Sequence, residues 1–188
     1  MTETSPQSAA PEVLKLSEYF SLVPPAGWDI AVSFEGLPMR LLAYGRMAFR
    51  PAGSSDVFLK WQIVNWLEAH PEWDVFQDLI YQRGKPSADE LSKLYAMLLR
   101  IPIGYIADYS VSNHPGLGRV LVIDYQYDDW NYKGRVMYTP SPTGLNDIQI
   151  VSYEGAEPEF STYLIEALQA LDSCQGPIEL SVLAPLFT

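Results

Sequence analysis

The clearest pattern of hydrophobic and polar positions lies in the second half of the chain. Leu121, Ile123, Tyr125 and Tyr127 fall at every second position, interleaved with Val120, Val122, Asp124 and Gln126. A period of two describes a strand that buries one face. The Asp128-Asp129-Trp130-Asn131 corner leads to a second extended stretch over 132–138, and Pro140-Ser141-Pro142-Thr143-Gly144 turns the chain into a third over 147–153. Three strands joined by short polar corners pair most simply as an antiparallel meander. A further strand over 105–112 precedes them, turned back at His114–Gly118. Pro158 then opens a helix, since proline's fixed φ and missing N–H suit a first turn. Phe160, Tyr163, Leu164, Ala167, Leu168 and Leu171 follow at helical spacing, and Gly176-Pro177 ends the run.

In the first half, Pro24-Pro25 closes a strand over 19–23, and Ala26-Gly27 turns the chain before Trp28. Met39, Leu41, Ala43, Met47 and Phe49 alternate with Arg40, Tyr44, Arg46 and Arg50, which predicts a strand with a buried and a wet face. After a turn at 51–55, residues 56–67 read as a strand running into a helical end. Val75, Phe76, Leu79 and Ile80 predict a helix over 73–83, with Gly84 as its C-cap. Ser87 and Glu90 form a capping box, which opens a helix carrying Leu91, Leu94, Tyr95 and Leu98 and ending near Pro102. The elements predict an α+β fold, an antiparallel sheet of about six strands with helices packed on its faces. Residues 1–12 read as a flexible tail, 13–177 as one domain, and 178–188 as an apolar tail that covers a sheet edge or docks on a partner.

Composition narrows the partners. Of 188 residues, 23 are acidic and 12 basic, so a net charge of −11 offers phosphate backbones no broad basic patch. The same charge repels an anionic membrane surface. No apolar run approaches the roughly 18 residues of a membrane span, and the first residues show no signal-peptide pattern. The expectation is a cytoplasmic protein that binds no nucleic acid and inserts in no membrane. Cys174, the one cysteine, excludes an internal disulfide.

Candidate chemistry is sparse. His70 and His114 both precede proline in turns and read as exposed polar residues, while Cys174 reads as a buried, inert thiol. The chain lacks the nucleophile elbow, the phosphate-cradling glycine loop and the paired-histidine zinc motif. No catalytic residue, metal site or cofactor is therefore expected. Asp124, Asp128 and Asp129 would be three oxygen donors for a hard cation, but aspartates are ordinary turn formers. Arg40, Tyr44 and Arg46, joined by Arg50, present the guanidinium geometry that recognises carboxylates and phosphates, or else an ordinary solvated face. On the meander, Tyr125, Tyr127 and Trp130, with Tyr132 and Tyr138 nearby, are candidates for a contact surface with a protein or peptide segment.

The run Phe20-Ser21-Leu22-Val23-Pro24-Pro25-Ala26-Gly27-Trp28, the meander from Arg119 to Tyr153 and the closing helix to Leu171-Asp172-Ser173 resemble the PsbP family of photosystem-associated proteins. Its wider relatives include a Ran-binding nuclear-transport factor and the Eag chaperones of type VI secretion effectors. The resemblance implies an α/β/α sandwich and a non-catalytic role in protein binding or assembly. The chain departs from the family in its long helical stretch over 73–99 and its apolar tail. It also opens without a thylakoid or lipoprotein leader pattern, which argues against a lumenal photosystem role. The leading expectation is a non-enzymatic assembly factor, adaptor or chaperone. One alternative is a small-ligand binder or enzyme with a pocket between sheet and helices, using Arg40, Tyr44 and Arg46. Another is a photosynthesis accessory protein.

Overall fold

The computed structural model describes residues 13–17, 20–31, 42–65, 71–83, 86–99, 106–127, 131–141 and 147–176. Strands β1 (Leu14–Ser17) and β2 (Phe20–Leu22) form a small hairpin. The main sheet contains β3 (Trp28–Ala31), β4 (Leu42–Pro51), β5 (Val57–Asn65), β6 (Ile106–His114), β7 (Gly118–Tyr127), β8 (Tyr132–Pro140) and β9 (Asp147–Ala156). Helices α1 (Pro71–Tyr81) and α2 (Ala88–Leu99) lie between β5 and β6 in sequence, and α3 (Glu159–Asp172) follows β9. The spatial order is β3-β4-β5-β9-β8-β7-β6, with every neighbouring pair antiparallel. Among the described residues the main sheet therefore has seven strands, one more than the pattern predicts. The tail at 1–12, the helical end after 65 and the apolar tail at 178–188 lie outside the described residues.

Residues that alternate along each strand feed two separate cores. Phe49, Leu59, Trp61, Val151, Met137 and Tyr153 face α3, whose Phe160, Ala167, Ala170 and Leu171 pack on them. The β1–β2 hairpin joins this layer, with Phe20 stacked on Trp61 at 5.4 Å between ring centroids. On the opposite face, Leu121, Ile123, Tyr125, Val136, Tyr138 and Ile148 meet Trp73, Phe76 and Ile80 of α1 and Leu94 and Tyr95 of α2. Large side chains of this kind stabilise the fold by roughly 1.5–3 kcal/mol each when fully buried.

Local chemistry explains the helix ends. The capping box forms as predicted: Glu90 N–H donates to Ser87 Oγ at 3.3 Å, and Ser87 N–H donates to Glu90 Oε2 at 2.8 Å. At the end of α1 the left-handed residue is Gln82, with φ 54°, so the chain leaves the helix before the predicted Gly84 cap, which lies outside the described residues. A second departure is in β4. Ala43 pairs with Val64 and Gly45 with Ile63, so Tyr44 is an extra residue in a bulge. The bulge shifts the register by one residue, so Ala43 stands opposite Val64 while Met47 and Phe49 stand opposite Trp61 and Leu59.

Candidate functional site

A dense polar cluster among the described residues centres on Glu154 of β9. Register aligns Tyr125 of β7 with Gly134 of β8, and Gly134 with Glu154. A Cβ at Gly134 would collide with the Tyr125 ring, so glycine lets that ring lie flat across β8. The Tyr125 hydroxyl thereby reaches Glu154 two strands away and donates to Oε2 at 2.7 Å. Tyr132 donates to the same oxygen at 3.3 Å. Lys60 Nζ on β5 lies 2.9 Å from Oε1, and Ser152 Oγ donates to Oε1 at 3.0 Å. Lys60 also packs over the Phe58 ring, 5.3 Å from its centroid.

These contacts set the protonation states. Burial pushes the Glu154 carboxyl upward, but the Lys60 charge and the hydrogen bonds from Tyr125, Lys60 and Ser152 outweigh it and leave the pKa below the usual 4.5. Burial, reinforced by the Glu154 charge, pushes the Tyr125 phenol far above its ordinary value. An ionised acceptor and a neutral donor result, a combination that holds strands together and leaves Glu154 without the proton a general acid must supply near neutral pH.

Other groups with reactive potential are also committed internally. His114 is buried, not exposed as its turn position predicts. Its Nδ1 accepts from the N–H groups of Gly116 at 3.1 Å and Leu117 at 3.2 Å, and its Nε2–H donates to the Leu171 carbonyl at 3.0 Å. The ring thus ties the β6–β7 turn to the end of α3. Cys174 is fully buried, and burial pushes its thiol up to about 12. Asp124 places both oxygens 2.7 Å from the Arg135 guanidinium, which occupies the carboxylate proposed for a cation. Among the described residues no group of three or more His, Cys, Asp or Glu is arranged to hold a metal ion.

Among the contact residues the sequence predicts, Tyr125 and Tyr138 have described side chains. Tyr125 and Tyr138, at 7% and 2% exposure, lie in the core beneath α1 and α2, which corrects their assignment to a contact surface. Their alternation marks a buried face, because a helical pair covers it. Tyr127 belongs to β7 by its backbone, and Trp130 and Arg40 lie outside the described residues. Tyr44 sits at the β4 bulge, and Arg46 stands opposite Gln62 in register.

The surface sequence reasoning missed is β6. It is one outer strand of the described sheet, and Asp108, Tyr109, Ser110, Ser112 and Asn113 along it are exposed. The opposite outer strand, β3, is four residues long against nine for β6. It is also braced: Trp28 Nε1 donates to Glu166 of α3 at 3.1 Å, and its ring meets Tyr163 edge-on at 5.9 Å.

No family model matches this chain, and no curated protein matches it. Among solved structures it is similar to the solution structure of cyanobacterial PsbP (CyanoP) from Synechocystis sp. PCC 6803. The identity is 13%, with a TM-score of 0.53 over 93% of this chain and 98% of that one. The architecture is therefore PsbP-like, an antiparallel sheet between helical layers, as the resemblance in sequence implies.

Proposed function

We propose that this chain is a non-catalytic protein-binding module, working in the cytoplasm as an assembly factor, adaptor or chaperone. The observation that carries the reading is the internal commitment of its reactive groups. Glu154 is ionised and surrounded by donors, both His114 nitrogens are bonded, and the Cys174 thiol is buried with its pKa raised. A framework built this way is suited to presenting a surface. Co-purification from native cells, followed by reconstitution with the purified partner, tests it. A saturable complex formed without chemical change in either protein is expected. Turnover of a small substrate that is abolished by His114→Ala in a folded variant would overturn it.

A second reading, a photosynthesis accessory protein, is favoured by the fold shared with a cyanobacterial PsbP. Co-sedimentation with purified thylakoid membranes or photosystem complexes supports it, and its failure in a photosynthetic host counts against it.

A further inference from the structure

We infer that β6 is the docking edge of this protein, and that it receives an extended partner segment in which basic residues alternate with apolar ones. The inference rests on the protein-binding reading and specifies its surface. An outer strand carries backbone N–H and C=O groups with no strand beside them, and such edges recruit further strands unless they are short, covered, or guarded by lysine or proline. A bulge interrupts β6 between Ile106 and Asp108, and the seven residues beyond it, Asp108–His114, contain neither lysine nor proline, so a partner strand could run for about 23 Å along them at the usual rise per residue.

Among the described residues no strand lies on the outer side of β6, and the backbone shows which of its groups face that side. The Tyr109 N–H donates to the neighbouring Asp108 carboxylate at 2.8 Å. Antiparallel pairing alternates residues bonded across with residues whose N–H and C=O point away. Tyr109, Val111 and Asn113 therefore turn their backbone groups outward, and Asp108 provisionally satisfies one of them.

Side chains set the partner's chemistry. Tyr109, 45% exposed, and the partly buried Val111 lie on the α1–α2 face, where Tyr109 touches Tyr95 of α2 at 5.1 Å between ring centroids. Apolar residues of an added strand would extend that layer. Asp108, Ser110 and Ser112 lie on the other face, beside Asp124 and within the electrostatic reach of Arg135 that Asp172 shares. With the whole chain at −11, this face favours basic side chains, and two copies of the chain would repel. The occupant is therefore a different, basic protein segment.

The test uses a nine-residue peptide alternating Lys with Val and Thr, its acidic counterpart carrying Glu for Lys, and the basic peptide N-methylated at alternate residues. Amide exchange of the full chain is followed by NMR. The basic peptide is expected to slow exchange at Tyr109, Val111 and Asn113 by roughly tenfold, and to leave β3 unchanged. N-methylation is expected to abolish the effect, and the paired substitution Ser110→Lys with Ser112→Lys to weaken binding by roughly tenfold or more. Equal protection by the acidic peptide, indifference to N-methylation, or protection of β6 through self-association overturns the inference. A reconstituted partner retained equally by the double-lysine variant also overturns it, while leaving the protein-binding reading intact. If neither form binds any partner, that broader reading fails, and the peptide measurements still decide the edge.

Discussion

Beneath α3 the sheet presents Phe49, Leu59, Trp61, Met137 and Val151, a largely apolar layer in which Tyr153 donates its hydroxyl to the Phe160 carbonyl at 2.7 Å. Beneath α1 and α2 it presents Tyr125 and Tyr138, whose rings fill space but whose hydroxyls require acceptors. Tyr138 donates to the Leu98 carbonyl at 3.3 Å, and Tyr125 donates to Glu154. The first layer depends on volume. The second depends on register, because its polar contacts hold only when Tyr125, Gly134 and Glu154 stand in line across three strands. One sheet thus has a face tolerant of pH and a face whose stability is tied to a carboxylate.

Substitutions should separate the faces. The largest effect is expected from Trp61→Ala, which removes a side chain only 3% exposed and stacked on Phe20. Urea unfolding should show a loss of about 3–5 kcal/mol, of similar size at pH 7 and at pH 4. A loss that changed steeply with pH would break the distinction between faces.

Glu154→Ala comes next, with an expected loss of about 2–3 kcal/mol at pH 7, because Lys60 and the Tyr125 hydroxyl lose a shared acceptor. The pH dependence follows from the lowered pKa. A carboxyl depressed on folding stabilises fully above its unfolded value near 4.5, and that contribution fades as pH falls through the lower folded value. Chemical denaturation between pH 7 and pH 2.5 should show this acid limb in the wild type and a shallower one in Glu154→Gln.

Smaller still is Gly134→Ala, expected to cost about 1–3 kcal/mol because the new methyl group meets the Tyr125 ring. In a Tyr125→Ala background the same change should be nearly neutral, and a double-mutant cycle measures that difference. An additive result would remove the glycine from the account. The smallest response is expected at Cys174: native protein should resist iodoacetamide, given full burial and a thiol pKa raised to about 12.

Much of the fold was legible because its signals are local. Period two in residues 121–127, helical spacing from Phe160 to Leu171 and the Ser87–Glu90 box each specify an element within a few residues. The Tyr44 bulge was not legible, because one inserted residue shifts the register without altering composition. Nor was the carboxylate cluster, which joins β5, β7, β8 and β9. Gly134 within a strand of bulky residues was its available signal, since a strand glycine often marks a close approach. His114 was misread for a related reason. Its ring bonds the amides just ahead of it, as an Asx turn does, and then reaches across to a carbonyl on α3.

The pairing of β5 with β9 also orders events during synthesis. Val57 stands opposite Gly155 and Asn65 opposite Asp147, so β5 precedes both helices and three further strands before its partner is made. On a ribosome, β3, β4 and β5 emerge with one edge of β5 bare, and with Trp61 and Ile63 uncovered on the face that α3 later packs against. The meander β6–β9 needs only neighbouring segments and can assemble on its own schedule, whereas closure along β9 waits for a distant partner. Pulse-labelled exchange during refolding should protect β6–β8 before β4 and β5. Until β9 is made, the bare edge of β5 lacks the strand that pairs with it in the finished sheet.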